Sequence, residues 1–285
     1  MTHHLRGWKK DIRDERDALR GKVVVKLPSK VDLSAFLPSV RDQGNIGSCT
    51  GFGIGGNLTG CAKQQNAGVD WFSPTWIYSG ARLLEGTLPY DEGAYPRDCL
   101  EFLRANGCLL ELFRAYSDTL DTTDPTKWLC AKNALDWPII SYARLVDGVD
   151  GIKGALAAGH LVSIGSPWFG SWQDTDPNGI LSEDYDLVAG GHEFLCYGYD
   201  DSLGILFCQN SWGTSWGKSG RFAIRYSSIP AFKVNGGYDA HMVTVDWTPV
   251  VDDDPVIPVR QNLKWVFIAV GIVAVVILAM TIFKR

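Results

Sequence analysis

Cys49 closes the run Val40-Arg41-Asp42-Gln43-Gly44-Asn45-Ile46-Gly47-Ser48-Cys49, and a small-residue segment, residues 51–60, follows it. A thiol at the start of a helix meets free N–H groups and the positive end of the helix dipole, and both favour thiolate. Gln43, six residues upstream, can point its amide back across the loop toward whatever Cys49 attacks. A thiolate nucleophile needs a base, and the base needs a group to orient it. The chain has five histidines. His3 and His4 lie in a charged N-terminal stretch, His160 at an expected helix-to-strand turn and His241 in Asp239-Ala240-His241-Met242. His192 stands at the entry to an apolar strand pattern, and Asn210 follows it by 18 residues. A hairpin between them would bring Asn210 beside His192, where its carbonyl can accept the imidazole N–H. Trp212 would cover that hydrogen bond. The chemistry such a set could perform is acyl transfer through sulfur. The plain alternative for Cys49 is a buried structural thiol, a common fate of free cysteine.

The elements that must position these residues change character midway. A helix is expected over residues 49–65 despite five interior glycines, each costing about 1 kcal/mol against alanine. Such a helix needs close approach by other backbone, which places it at the centre of the molecule. Ser73-Pro74 and Pro96 read as helix starts, since proline suits the first turn, and Gly107 as a stop. In the second half, strands are expected over 138–143, 161–165, 194–199, 205–209, 222–226 and 242–245, with a short helix over 149–159. Residues 200–204, Asp-Asp-Ser-Leu-Gly, supply hairpin chemistry between two of these strands.

At 285 residues the chain can bury a substantial core, and its composition, 46% hydrophobic and 21% charged, is that of a globular protein. A net charge of −5 leaves no basic footprint, so nucleic acid is not an expected partner. Eleven tryptophans point to large aromatic packing elements. Seven cysteines, an odd number, leave at least one thiol free or paired with another chain. No Cys-x-x-Cys pair supports a metal ribbon, and no metal or cofactor is expected. Residues 1–30 form a charged N-terminal arm, read as a solvated segment or a short amphipathic helix, with no apolar core of a signal peptide. Residues 249–264 form a stiff Pro/Asp linker. Residues 265–283 then carry no charge, and as a helix would span about 28 Å, matching a bilayer core. Cations bracket that stretch on both sides, so their count does not orient it.

Three motifs together resemble the papain-like cysteine proteases, of the prokaryotic and viral kind. They are Gln43-Gly44-x-x-Gly47-Ser48-Cys49, then Gly191-His192 with Phe194 and Gly198-Tyr199, then Asn210-Ser211-Trp212-Gly213-x-x-Trp216-Gly217. The last is the most specific. Gly7-Trp8 with Asp11 and Arg16-Asp17 resembles the N-terminal segment of the bacterial branch. The resemblance implies a two-lobed α+β fold over residues 31–248, with a helical lobe over about 45–135 and an antiparallel β-barrel-like lobe over about 136–248; the one C-terminal transmembrane helix expected over 265–283 is an addition and not a trait of that family. It implies Cys49 as nucleophile, His192 as general base and acid, and Asn210 and Trp212 as orienting and shielding groups. The Gln43 amide and the Cys49 N–H form the implied oxyanion hole. Gly93 or Ala94 is the implied backbone partner of an extended polypeptide substrate. A thiolate–imidazolium pair is expected at rest.

Departures are visible too. Ile46 replaces a cysteine that other members pair in a disulfide, Thr50 replaces a tryptophan, and Glu193 stands where a small residue is common. Strand alternation aims Glu193 away from the imidazole. Only 48 residues precede Cys49, so the long inhibitory pro-segment is missing and obligatory processing is not expected. A catalytically silent peptide-binding module at a membrane is the rival reading, and a Cys–His transferase a further one that Asn210-Ser211-Trp212-Gly213 disfavours. The expected location is a tail-anchored, single-pass protein with its folded domain in the cytoplasm, or in a membrane-containing virus particle. Among the decoys, Gly51-x-Gly53-x-x-Gly56 lacks the preceding strand of a dinucleotide site. The Asp174–Gly179 stretch imitates a calcium loop but has Tyr185 where the closing glutamate belongs. Asn57-Leu58-Thr59 is a sequon on an expected buried helix, and Cys196 and Cys208 are read as facing free thiols.

Overall fold

A computed structural model describes residues 7–12, 14, 19–20 and 26–247. The linker over 249–264 and the apolar stretch 265–283 lie outside the described residues. Within them, no helix is long and apolar enough to cross a membrane.

The central helix, α1 (Cys49–Gln64), is buried along nearly its whole length. Its glycines explain how. A methyl group at Gly51 would sit 2.6 Å from the carbonyl oxygen of Pro74, and one at Gly56 would sit 3.2 Å from Leu195. A bare helix face thus lets helix α2 (Pro74–Leu84) approach on one side and the sheet on the other. Ser73 caps α2, its hydroxyl accepting from the Trp76 N–H at 3.2 Å. Helix α3 (Pro96–Asn106) starts on its proline and stops at Gly107, whose φ of 77° needs no side chain. Gly51→Ala should therefore destabilise the fold. Alanine gains about 1 kcal/mol of helix propensity, but overpacking against rigid backbone costs typically 1–3 kcal/mol. The expected result is a Tm lowered by about 2–6 °C in a thermal melt.

The sheet collects strands from both ends of the chain. They are β1 (Leu19–Arg20), β2 (Lys30–Asp32), β3 (Ser141–Leu145), β4 (Val162–Phe169), β5 (Val188–Asp200), β6 (Ile205–Gln209), β7 (Arg221–Arg225) and β8 (Asp239–Thr244). Their order is β1-β3-β8-β4-β5-β6-β7, with β2 added to β5. All pairs are antiparallel except β1 with β3. Among the described residues the order is an open path, not a closed barrel. Strand β4 runs on through Ser166-Pro167 to Phe169, and β5 begins at Val188, before the glycine pair at 190–191. Both outrun the sequence expectation, because eight cross-strand pairs between β4 and β5 outweigh the local cost of proline and glycine. Helix α4 (Gly148–Ala157) covers part of the sheet, and α5 (Ser228–Val234) follows β7.

Two hydrophobic cores result. One lies among the helices around Phe72, Trp76, Phe102 and Leu103, and the chain returns to it late, through Val243 and Trp247. The other lies on the sheet around Trp168, Phe169, Trp172, Trp212 and Phe222.

Where it is described, the N-terminal arm is not helical and only partly solvated, with Lys10 and Ile12 exposed. Gly7 and Asp11 are buried, and Trp8 bridges Ala94 in parallel, extended fashion.

Candidate active site

Cys49 is the first residue of α1, and the loop before it is tied down from several sides. Gln43 is fully buried and donates its side-chain amide to the Ile46 carbonyl at 2.9 Å, while its own Oε1 accepts from the Ser211 hydroxyl at 2.6 Å. An amide NH2 has two hydrogens, so Gln43 retains one for an incoming oxygen. The Gly47 N–H donates to both oxygens of Asp91, at 3.1 and 3.0 Å. Tyr78 donates to the same carboxylate at 2.6 Å and accepts from the Gly93 N–H at 3.1 Å. Tyr116 donates to the Gln43 carbonyl at 2.6 Å and bonds the Ser48 hydroxyl at 2.9 Å. Sequence reasoning missed Tyr78, Asp91 and Tyr116. They join the loop through contacts 13 to 73 residues apart, with no local pattern to announce them.

The other half of the site is built on β5 and β6. Their register pairs Leu195 with Gln209, so Asn210, just past β6, falls back beside His192. Asn210 Oδ1 lies 2.7 Å from His192 Nε2 and also accepts the Ser211 N–H at 2.8 Å. The second bond holds the amide so that its oxygen faces the imidazole. The Trp212 ring sits 4.6 Å from the His192 ring at 37°, and Trp168, which sequence reasoning did not single out, meets it edge-on at 5.0 Å. These two indoles enclose the His–Asn pair. The next backbone amide along, Glu193 N–H, donates to Cys49 Sγ at 3.3 Å. The strand bearing His192 thus docks directly on the sulfur.

The Glu193 side chain points toward α1, where a methyl on Gly53 would sit 3.0 Å from its Oε1. Burial, then the Asp11 and Asp239 carboxylates, push its carboxyl well above the ordinary range, so it is held protonated.

The arm lies across the nucleophile. A Cβ on Gly7 would sit 2.5 Å from Cys49 Sγ, so only glycine fits there. The Gly7 carbonyl accepts from the Ala94 N–H at 2.9 Å, and the Lys9 N–H donates to the Ala94 carbonyl at 3.0 Å. Ala94, not Gly93, is therefore the residue whose two backbone groups hold an extended chain; the Gly93 N–H is spent on Tyr78. Beyond Trp8, Lys9 pairs with Glu85 at 2.8 Å. Asp11 Oδ2 lies 3.3 Å from His241 Nε2, and its Oδ1 accepts from the Arg97 N–H at 3.1 Å.

Covered in this way, Cys49 has no exposed surface, and burial pushes its thiol well above the usual range. Hydrogen bonds from the Glu193 and Thr50 amides pull the other way but are outweighed. The sequence leads one to expect a resting thiolate at a helix N-terminus. With the arm seated, desolvation wins and the sulfur is a thiol.

The decoys resolve simply. Gly51, Gly53 and Gly56 are helix-packing residues, Asn57 is buried, and Asp176 closes a surface turn through the Asn178 and Ile180 amides. Cys196 and Cys208 face each other in register, and neither is in a disulfide. Among the described residues no group of three or more His, Cys, Asp or Glu could hold a metal ion.

Comparison with known proteins agrees with this geometry. Residues 27–236 match the family model described as papain family cysteine protease. The chain belongs to that family. It is 30% identical over 231 residues to cathepsin B-like CP3 of Giardia intestinalis, covering 74% of each chain. It is 28% identical over 207 residues to an uncharacterised peptidase C1-like protein of Acanthamoeba polyphaga mimivirus, covering 66% of this chain and 64% of the viral one. Among solved structures, xylellain, a cysteine protease from Xylella fastidiosa, superposes with a TM-score of 0.74 at 28% identity, covering 85% of this chain and 96% of that one.

Proposed function

We propose that the protein is a membrane-tethered cysteine endopeptidase. The observation that carries the catalytic part is the docking of β5 on Cys49 while Asn210 Oδ1 holds His192 Nε2 at 2.7 Å. In this reading the arm first leaves the cleft. His192 then takes the Cys49 proton, and the thiolate attacks the scissile carbonyl of a polypeptide. The developing oxyanion is met by the second Gln43 amide hydrogen and the Cys49 N–H, donors placed where charge appears. His192 returns its proton to the leaving amine, and a thioester remains. Water, deprotonated by His192, hydrolyses that thioester and restores the thiol. Asn210 holds the ring plane throughout, and Trp212 keeps water from the pair. Ala94 offers the substrate the two backbone groups it now offers the arm.

The tether rests on residues 265–283, whose uncharged length matches a bilayer core. Its proposed arrangement is tail-anchored, with the folded domain in the cytoplasm or in a membrane-containing virus particle.

The test is intact-mass spectrometry of the full chain in detergent after exposure to a peptidyl epoxide, alongside Cys49→Ala and His192→Ala. One adduct, on Cys49 and absent from both variants, supports the reading. Adducts scattered over the other cysteines, or none, would leave a silent peptide-binding module in its place. Partition of the full chain into vesicles, lost when 265–283 are removed, tests the tether.

A further inference from the structure

The Ile46–Gly47 peptide unit stands between the oxyanion-hole donor and the rest of the protein. Its carbonyl accepts from the Gln43 side-chain amide at 2.9 Å and from the Ser48 N–H at 2.8 Å. Its N–H donates to both oxygens of Asp91, at 3.1 and 3.0 Å. A peptide unit is planar, so holding its N–H also sets the direction of its carbonyl. The Gln43 amide is planar too. Its oxygen is pinned by the Ser211 hydroxyl at 2.6 Å and one of its N–H groups by the Ile46 carbonyl, so the second N–H has one direction left to point. Asp91 thus aims the donor without touching it. The fit is close, since a methyl on Gly47 would lie 3.1 Å from Asp91 Oδ1. The same Oδ1 accepts from the Tyr78 hydroxyl at 2.6 Å, and that hydroxyl accepts from the Gly93 N–H at 3.1 Å. One residue further on, Ala94 offers its two backbone groups to an extended chain. Arg82, one turn along α2 from Tyr78, sets its guanidinium 4.5 Å from the centre of that ring. It donates to the Leu88 and Tyr90 carbonyls at 2.5 and 3.2 Å, which holds the stretch leading into Asp91.

With isoleucine at position 46, where other members carry a disulfide-forming cysteine, this loop has no covalent tie there. Resting on the peptidase reading above, we propose that Asp91 is a positioning residue for catalysis. It supplies the tie through hydrogen bonds, aims the free Gln43 N–H at the developing oxyanion, and through Tyr78 keeps that donor in register with the Ala94 groups that hold the substrate. Charge alone would disfavour an acid here. Burial does most to raise the Cys49 thiol, and the Asp91 carboxylate adds to it. A negative charge near a developing oxyanion is unfavourable as well. If Asp91 acted only through its field, removing it would quicken the reaction. If it aims Gln43, removing it slows the reaction.

Two measurements on the full chain in detergent test this. The first is kcat on a peptidyl-coumarin at saturation, where substrate outcompetes the arm and arm occupancy does not enter. Asp91→Ala should lower kcat about tenfold, less than the roughly 10²- to 10³-fold lost with an oxyanion donor itself. Asp91→Asn keeps one acceptor but sets an NH2 against the Gly47 N–H. It should lose about threefold, and it carries the test if the alanine variant does not fold. In a Gln43→Ala chain the donor to be aimed is gone, so either Asp91 substitution should cost less than about twofold more. A merely structural role would cost the same factor in both backgrounds. The second measurement needs no cleavage. In nitrogen-15 correlation spectra of Asp91→Asn, the side-chain NH2 signals of Gln43 should shift and exchange with solvent about tenfold faster. Those of Gln65, bonded to the Val245 carbonyl at the far end of α1, should stay in place. A gain in kcat, equal losses with and without Gln43, or unmoved Gln43 signals overturns the positioning role and leaves the peptidase intact. Shifted Gln43 signals in a chain that cleaves no substrate overturn the peptidase and leave the Asp91 tie.

Discussion

His192→Ala lowers kcat/KM for peptide hydrolysis by about 10³-fold, within the range expected when a positioned general base is removed. The size of the loss follows from how little else can replace the ring. Trp168 and Trp212 enclose it, Asn210 fixes its tilt, and the nearest carboxyl on the same strand, Glu193, faces α1 and is held protonated. No other base is therefore in place to take the thiol proton. Asn210→Ala leaves the ring present but free to turn, so its loss should be smaller, about 10- to 100-fold. Stopped assays over a pH series separate the two. With His192 gone, activity should climb monotonically with pH as hydroxide and the bare thiolate take over. With Asn210 gone, the profile should keep its shape at reduced height. Equal residual activity in both variants would contradict the assigned division of labour.

Trp8→Ala exposes Cys49. The substitution removes an indole wedged between two glycines and its hydrogen bond to Asp239. For a half-buried tryptophan the loss is about 2 kcal/mol, below the 3–5 kcal/mol of a fully buried one. Arm occupancy falls accordingly, and iodoacetamide should label Cys49 about 10- to 30-fold faster than in the unaltered chain. The same seating is coupled to protons. Burial, then the Asp239 carboxylate, push the docked Asp11 carboxyl up to about 8, with His241 beside it. A free arm titrates near 4. The docked arm thus binds the proton more tightly. Its advantage is complete below about pH 4 and is lost as pH rises through 8. Cys49 labelling should therefore climb with pH more steeply than a simple thiol between about pH 4 and 8 and lose that excess above 8, and Asp11→Asn, which needs no proton, should remove it. Seating by pH-independent contacts alone would leave the two curves parallel.

Much of the site was legible because its parts are local. The loop from Gln43 to Cys49 is seven residues, and the hairpin carrying His192 to Asn210 declares itself by turn residues between two apolar runs. Helix α1 could be placed at the centre from its glycines, since their cost demanded a packing reason. What stayed illegible depends on long-range juxtaposition. Nothing in Gly7-Trp8 foretells that one residue covers the sulfur and the next fills a gap at Gly165, 157 positions away. Asp239 lies before the strand expected over 242–245, and only the three-strand register makes it a neighbour of Glu193. The open sheet path, the extra length of β4 and β5, and the protonated sulfur share a cause. In each case tertiary contact or burial outweighs the local preference on which sequence reading depends.

The hydrogen bond from the Glu193 amide to Cys49 Sγ makes one backbone proton a witness to the sulfur's condition. Where β5 is paired with β4, β6 or β2, its ladder amides are held by oxygen acceptors and their isotope exchange waits on the sheet coming apart. The Glu193 proton instead waits on the nucleophile. Its deuterium uptake and its chemical shift should respond when the thiol ionises, is alkylated, or carries an acyl group, while its neighbours register nothing. The molecule therefore contains its own isotopic gauge of catalytic state, readable without a substrate or a dye.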